Sequence, residues 1–241
     1  MTITHIFFEL SGVLMDSAQL PECYAHHLGL VMAERFGGSV DAWAQAHLKI
    51  LADWDSYFAD LDFDGDDGMA DLWESQLRVT RALFRLTGLK EPDSAVLAAL
   101  SRELPYLATR HCDALYPDSK PTIEALHQAG YVLGVATHLV SGKARGILEG
   151  GGVLDYFRGA FLCPDVTERF RKDQNYFLAA HVPPENCLVV DINSEGIRGA
   201  QAAGMQTVYL RRGELPHQSP ADWFLTGDLT ALLAYMNIKS D

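Results

Sequence analysis

From Tyr116 onward the chain alternates short apolar runs with single amphipathic helices, and few arrangements satisfy that order. "YVLGVAT" (Tyr131–Thr137), "GAFLC", "CLVVD" (Cys187–Asp191) and "QTVYL" read as buried strands. Between them lie the helical patterns "KPTIEALHQAG", "GKARGILEGGGVLDYF", "RKDQNYFLAAHV" and "EGIRGAQAAGM", the first and last closed by Gly130 and Gly204. Strands separated by single crossover helices form a parallel sheet covered on both faces. One further strand, Ile6–Phe8, stands far upstream and must join the same sheet. The residues between, 18–112, show helical periodicity and little strand character. "AWAQAHLKILADW", "LWESQLRVTRALFRLTG" and "DSAVLAALSRELPYLA" are amphipathic. Gly88 is placed to end the second, and Asp93 or Ser94 to cap the third. The expected organisation is an α/β core from residues 1–17 and 113–241, with an all-helical cap, 18–112, inserted over the sheet.

Open parallel sheets bind ligands at the carboxyl ends of their strands, near the point where strand order reverses. In "ITHIFFELSGVLMDS" the first strand delivers Glu9 and Ser11 to that edge and then breaks on Gly12. "YVLGVAT" ends on Thr137, and "CLVVD" ends on Asp191. A lysine from the segment before "YFLAAHV" can join them. Two acids, a hydroxyl and a lysine suit metal-assisted phosphoryl transfer. The acids would hold Mg²⁺, while the lysine and hydroxyl hold anionic oxygens.

The bulk numbers exclude several classes. With 48% apolar residues the 241-residue chain can bury a full core. A net charge of −13 argues against nucleic acid and against an anionic membrane surface as partners. A small anionic ligand remains compatible, because a local lysine or a metal ion outweighs the global field. No basic leader with an apolar stretch and no eighteen-residue apolar run occurs, so the expectation is a soluble cytoplasmic protein. Cys23, Cys112, Cys163 and Cys187 are scattered without a CxxC pair and read as four reduced, small hydrophobic residues. His26 and His27 give no sign of a metal pair. "DLDFDGDDGMAD" (Asp60–Asp71) has acids at calcium-loop spacing, but its last ligand is a short Asp. It reads better as an acidic solvated connection. Gly150–Gly152 reads as a turn, Asp16 as a helix cap and Lys143 as a solvated helix residue.

Four stretches, "FFELSGVLMDS", "LYPDSKPTIEALHQAGYVLGVATH", "RKDQNYFLAA" and "CLVVDINSEGIRGAQAAGM", resemble the haloacid dehalogenase (HAD) superfamily in order and spacing. The resemblance is to its phosphatase-like branch with a helical cap. It implies a Rossmann-like core and Mg²⁺-dependent hydrolysis of a small phosphorylated metabolite through an acyl-phosphate. In that branch the first motif reads Asp-x-Asp, nucleophile and general acid; here the positions are Glu9 and Ser11. The resemblance carries the phosphate contact onto Thr137, with His138 beside it. The motif lysine falls on Lys172 or, one residue earlier, on Arg171. Asp191, Glu195, Glu9 and the main-chain carbonyl of Ser11 become the metal ligands.

The departures have physical weight. A serine hydroxyl cannot protonate a leaving group, and such general acid catalysis is worth ~10²–10⁴-fold. The extra methylene of Glu9 displaces the attacking oxygen by about 1 Å, which costs on the order of 10²-fold. The expectation is therefore a HAD-type hydrolase with weak or altered activity. The alternative is a non-catalytic HAD-fold protein that binds a phosphorylated ligand or a protein partner.

Overall fold

In a computed structural model, residues 2–63, 65, 67–212 and 223–238 are described. The chain runs β1 (His5–Phe8), α1 (Leu20–Phe36), α2 (Val40–Ala52), α3 (Trp54–Phe58), α4 (Gly68–Thr87) and α5 (Ser94–Thr109). It continues α6 (Ser119–Gln128), β2 (Val132–Ala136), α7 (Ser141–Gly150), β3 (Phe161–Leu162), α8 (Pro164–Thr167), α9 (Gln174–Leu178) and β4 (Cys187–Asp191). Last come α10 (Ser194–Ala202), β5 (Gln206–Arg211), β6 (Trp223–Thr226) and α11 (Ala231–Tyr235). The six strands form one sheet in the order β3-β2-β1-β4-β5-β6, every pair parallel.

The core follows from the period-2 alternation of strand side chains. Ile6 and Phe8 face a cluster with Ile123, Leu126, Ile147, Leu188 and Val190. Phe7 faces the opposite side, against Tyr176, Phe177, Val189 and Ala200. All three β1 residues are fully buried, each worth about 1.5–3 kcal/mol relative to exposure. The helices between β1 and β2 have their own apolar cluster, built on Leu28, Met32, Trp43, Phe84 and Leu100. Helix ends follow local chemistry. The Asp93 side chain accepts from the N–H groups of Ala95 and Val96, and Gly88 ends α4 in the left-handed region.

Sequence and structure differ in two respects here, the elements α1 and β6 and the state of the cysteines. α1 and the short edge strand β6 were not resolved as separate elements in the sequence pattern. In the acidic stretch Asp60–Asp71, Asp60 is paired with Arg78, and Asp71 accepts from the N–H of Asp62, so both acids serve the protein's own donors, in keeping with an acidic connection. Asp64 and Asp66 lie outside the described residues. The reading of four reduced cysteines is corrected: Cys23 and Cys112 form a disulfide, Cα atoms 5.8 Å apart, and Cys163 and Cys187 are free and buried. The pair lies 89 residues apart in sequence. Packing of α1 along α5 brings them together, which no local spacing reveals.

Candidate active site

β1 lies between β2 and β4, so the chain leaves the sheet in opposite directions on its two sides. This is the reversal at which parallel sheets hold ligands. Register sets the level of the polar residues. Phe8 pairs with Val135 on one side and Val190 on the other, so Glu9 emerges level with Ala136 and Asp191. Thr137 follows one step on. Glu9, Thr137, Lys172 and Asp191 are all buried, the last three with no exposed surface.

The four side chains form one hydrogen-bonded cluster. Glu9 Oε1 accepts from the backbone N–H of Leu10 (2.7 Å) and of Ser11 (3.1 Å), and from the Thr137 hydroxyl (2.5 Å). Lys172 Nζ donates to Glu9 Oε2 and, at 2.8 Å, to Asp191 Oδ2. Asp191 Oδ1 accepts from the N–H of Asn193 at 2.8 Å. Glu195 Oε1 accepts from the Lys172 backbone N–H at 3.1 Å, and its other oxygen lies 3.8 Å from His138 Nε2.

These contacts settle the charge states. Burial pushes the Glu9 carboxyl upward, but the Lys172 charge and the hydrogen bonds from Lys172 and Thr137 outweigh it and hold Glu9 below its ordinary value. Burial lowers Lys172, and the two carboxylates overcome that and raise it. Asp191 is raised, first by burial and then by Glu9, against the pull of Lys172. His138 is lowered, first by burial and then by Lys172, so its imidazole is neutral at pH 7. The Lys172 ammonium thus faces the carboxylates of Glu9 and Asp191, while Glu195 accepts from the Lys172 backbone N–H. An all-oxygen donor set of this kind suits a hard divalent cation. Asp191, Glu195, Glu9 and the Ser11 carbonyl are the groups that would hold it.

Glycines and one tyrosine place this cluster, and the sequence reading named neither. A Cβ on Gly196 would sit 2.1 Å from Asp191 Oδ2, and one on Gly199 1.8 Å from the Lys172 carbonyl. Only bare backbone lets α10 lie this close to the Lys172 segment. Tyr176, buried on α9, directs its hydroxyl at the carbonyls of Thr137 (2.9 Å) and Leu162 and so fixes the end of β2. The signal for the glycines was present in "EGIRGAQAAG", where a helix carries two interior glycines at a helix-weakening cost.

Of the other candidates, Ser11 is half-buried and gives its N–H to Glu9. His138 sits at the rim, its ring 5.3 Å from that of Phe170, which in turn meets Phe63. Arg171 is exposed and is not brought to the cluster, whereas Lys172 turns inward. Ile192, on the position after Asp191, lies against Gly12, whose φ of +77° shapes the turn. Next to Ser11 a chamber of about 330 Å³ opens beneath the inserted helices, lined by Tyr24, His47, Trp54, Leu139 and Lys143 among others. The Lys143 ammonium lies 5.3 Å from the Tyr24 ring centre, and burial lowers its pKa. Lys143 is therefore half-buried at the chamber rather than fully exposed on its helix.

A parallel sheet with a buried acid–hydroxyl–lysine–acid cluster at its reversal point, and helices inserted after the first strand, defines a HAD-like α/β hydrolase class. The family model "haloacid dehalogenase-like hydrolase" matches residues 3–204, and the chain belongs to that family. Among curated relatives, a phosphoglycolate phosphatase from Vibrio vulnificus is 30% identical over 146 residues, 58% of this chain and 64% of that protein. A glyceraldehyde 3-phosphate phosphatase from Methanopyrus kandleri is 31% identical over 109 residues, covering 44% of this chain and 47% of that protein. The chain thus spans less than two thirds of the length of these curated relatives. A HAD phosphatase from Thermococcus onnurineus superposes with a TM-score of 0.59 at 21% identity, covering 98% of this chain and 99% of that one, and so shares the fold. No helix among the described residues is long and apolar enough to cross a membrane.

Proposed function

We propose that the protein is a Mg²⁺-dependent hydrolase of small phosphate esters with slow turnover, working on a two-domain plan of core and inserted cap. The observation that carries this reading is the convergence of Glu9, Thr137, Lys172 and Asp191, from four separate parts of the sequence, on one buried centre. Mg²⁺, when bound, neutralises phosphoryl oxygens and offsets the negative excess of the centre. Lys172 and the Thr137 hydroxyl hold the remaining anionic oxygens. A Glu9 oxygen, ionised because Lys172 keeps its pKa low, attacks phosphorus as the ester oxygen departs. Water then cleaves the acyl-phosphate, releasing inorganic phosphate and restoring Glu9. Ser11 supplies no proton, so esters with good leaving groups are turned over fastest. The organic part of the substrate enters the neighbouring chamber, where Lys143 favours an anionic group.

One observation favours a second reading, a ligand-binding protein without turnover. Both Glu9 oxygens are engaged, one by three donors and the other by Lys172. The protein's own carboxylate therefore occupies the cradle of two N–H groups, a hydroxyl and an ammonium that would suit a phosphoryl group. The test is Mg²⁺-dependent hydrolysis of p-nitrophenyl phosphate by wild type, Glu9→Ala and the Glu9→Asp/Ser11→Asp double variant. Turnover by wild type that Glu9→Ala abolishes supports the hydrolase. Activity in the double variant alone supports the binder.

A further inference from the structure

Outside the hydrolase centre, α1 and the segment leaving α5 bring three metal-ligating side chains together, Cys23, His27 and Cys112, with the exposed His111 beside them. Cys23 and His27 stand one turn apart on α1, on the same face. His111 and Cys112 follow α5. One ligand atom from each of Cys23, His27 and Cys112 lies within 4.8 Å of the others. The His27 ring is 5.1 Å from the His111 ring, and the His111 carbonyl oxygen lies 4.0 Å from Cys23 Sγ. Cys112 is buried, and Cys23 and His27 are half-buried. We propose that, once the two sulfurs are reduced, Cys23, His27, His111 and Cys112 form a binding site for a zinc-class divalent ion.

The chemistry selects the ion. Two thiolates and two imidazoles are ligands for Zn²⁺ and its borderline relatives, not for Mg²⁺ or Ca²⁺. Two thiolates also neutralise the ion's charge, so the closed site carries none. A tetrahedral ion with bonds of about 2.0–2.3 Å needs its ligand atoms roughly 3.3–3.8 Å apart, which rotation of these side chains supplies. The disulfide and the metal exclude each other. A dithiol reductant gives two electrons and two protons to the S–S bond and is itself oxidised to a disulfide. Binding of the ion then releases the two thiol protons to solvent. Four protein ligands leave no open position, so the role is structural. The ion would tie the first inserted helix to the segment through which the chain returns to the sheet.

The test uses the full chain, reduced and desalted without oxygen, titrated with Co²⁺ alone. The expected result is one equivalent bound with a thiolate-to-cobalt band in the near ultraviolet, bleached by Zn²⁺. That band is lost in Cys23→Ser and in Cys112→Ser. Affinity falls at least tenfold in His27→Ala and is unchanged in His26→Ala. Binding of Co²⁺ at the oxygen-only hydrolase centre gives no thiolate band, so the two sites are read separately. Absence of the band in wild type overturns the proposal. So does its persistence in Cys23→Ser, unchanged affinity in His27→Ala, or a disulfide that survives the reductant in the folded chain. The wild-type titration needs no variant to fold.

Discussion

Lys172 is fully buried between Glu9 and Asp191, and its ammonium is what makes two carboxylates tolerable inside the fold. Removing one partner of a buried ionic group typically costs about 3–5 kcal/mol, because the remaining charge is left uncompensated. Lys172→Met leaves two facing carboxylates and falls in that range. Glu9→Gln keeps the Lys172–Asp191 pair and loses chiefly charge-assisted hydrogen bonds, about 1–3 kcal/mol. Urea denaturation at pH 7 orders the two. A Lys172→Met variant as stable as Glu9→Gln would refute the view of Lys172 as the central counter-charge. At this scale the sequence was informative where chemistry is local to a strand end. Glu9, Thr137 and Asp191 follow from the ends of β1, β2 and β4. The choice between Lys172 and Arg171 was not legible, because it depends on how a non-helical segment rolls against α10. Tyr176 escaped notice because an aromatic on an apolar helix face looks like core, and only the structure shows where its hydroxyl points.

α10 is the element on which the geometry of the centre depends, and its glycines set how near it comes. A Cβ at Gly199 would collide with backbone, the Lys172 carbonyl, which cannot step aside as a flexible side-chain tip can. Gly199→Ala gains helix propensity of about 1 kcal/mol and loses more to forced backbone displacement, typically about 1–3 kcal/mol. The expected outcome is a net-destabilised protein with lowered phosphate-ester turnover. Gly204→Ala, at the helix end with only Pro184 nearby, loses stability through its φ of +88° but leaves Lys172 in place. Comparing turnover per folded molecule in the two variants separates positioning from stability. Equal turnover would sink the positioning argument. Elements were legible in proportion to their periodicity. β2 and β4, buried on both faces, stand out as apolar runs, and α4 and α5 carry clear caps. α1 is apolar around much of its circumference, so no polar face delimits it. β6 is a four-residue edge strand with too little pattern to separate from a loop.

For the whole molecule, the helices between β1 and β2 meet the residues around Ser11, Leu139 and Lys143 at a chamber in which a histidine is kept neutral. His47 is 7% exposed, its Nδ1 finds no hydrogen-bond partner among the described residues, and its ring lies 4.7 Å from that of Tyr24. Burial, with the nearby Lys143 charge adding to it, lowers its pKa to about 4. The sign of the stability effect follows. Above pH 6.5 His47 is neutral whether folded or unfolded, and pH does not act through it. Between 6.5 and about 4 the unfolded chain binds a proton that the folded chain refuses, so stability falls as pH falls. The slope is about 1.4 kcal/mol per pH unit for one proton, or roughly 2 kcal/mol lost between pH 6.5 and 5. Other groups contribute to the raw acid dependence, so the measurement is a difference. Urea unfolding of wild type and His47→Gln at pH 7 and pH 5 should show the variant losing about 2 kcal/mol less on acidification. Equal losses would mean that His47 accepts its proton in the folded state, through a chamber that admits enough water or anion to stabilise the imidazolium. In that case the chamber is a wet, ligand-accessible space beside the Glu9 centre, and Lys143 within it is solvated as well.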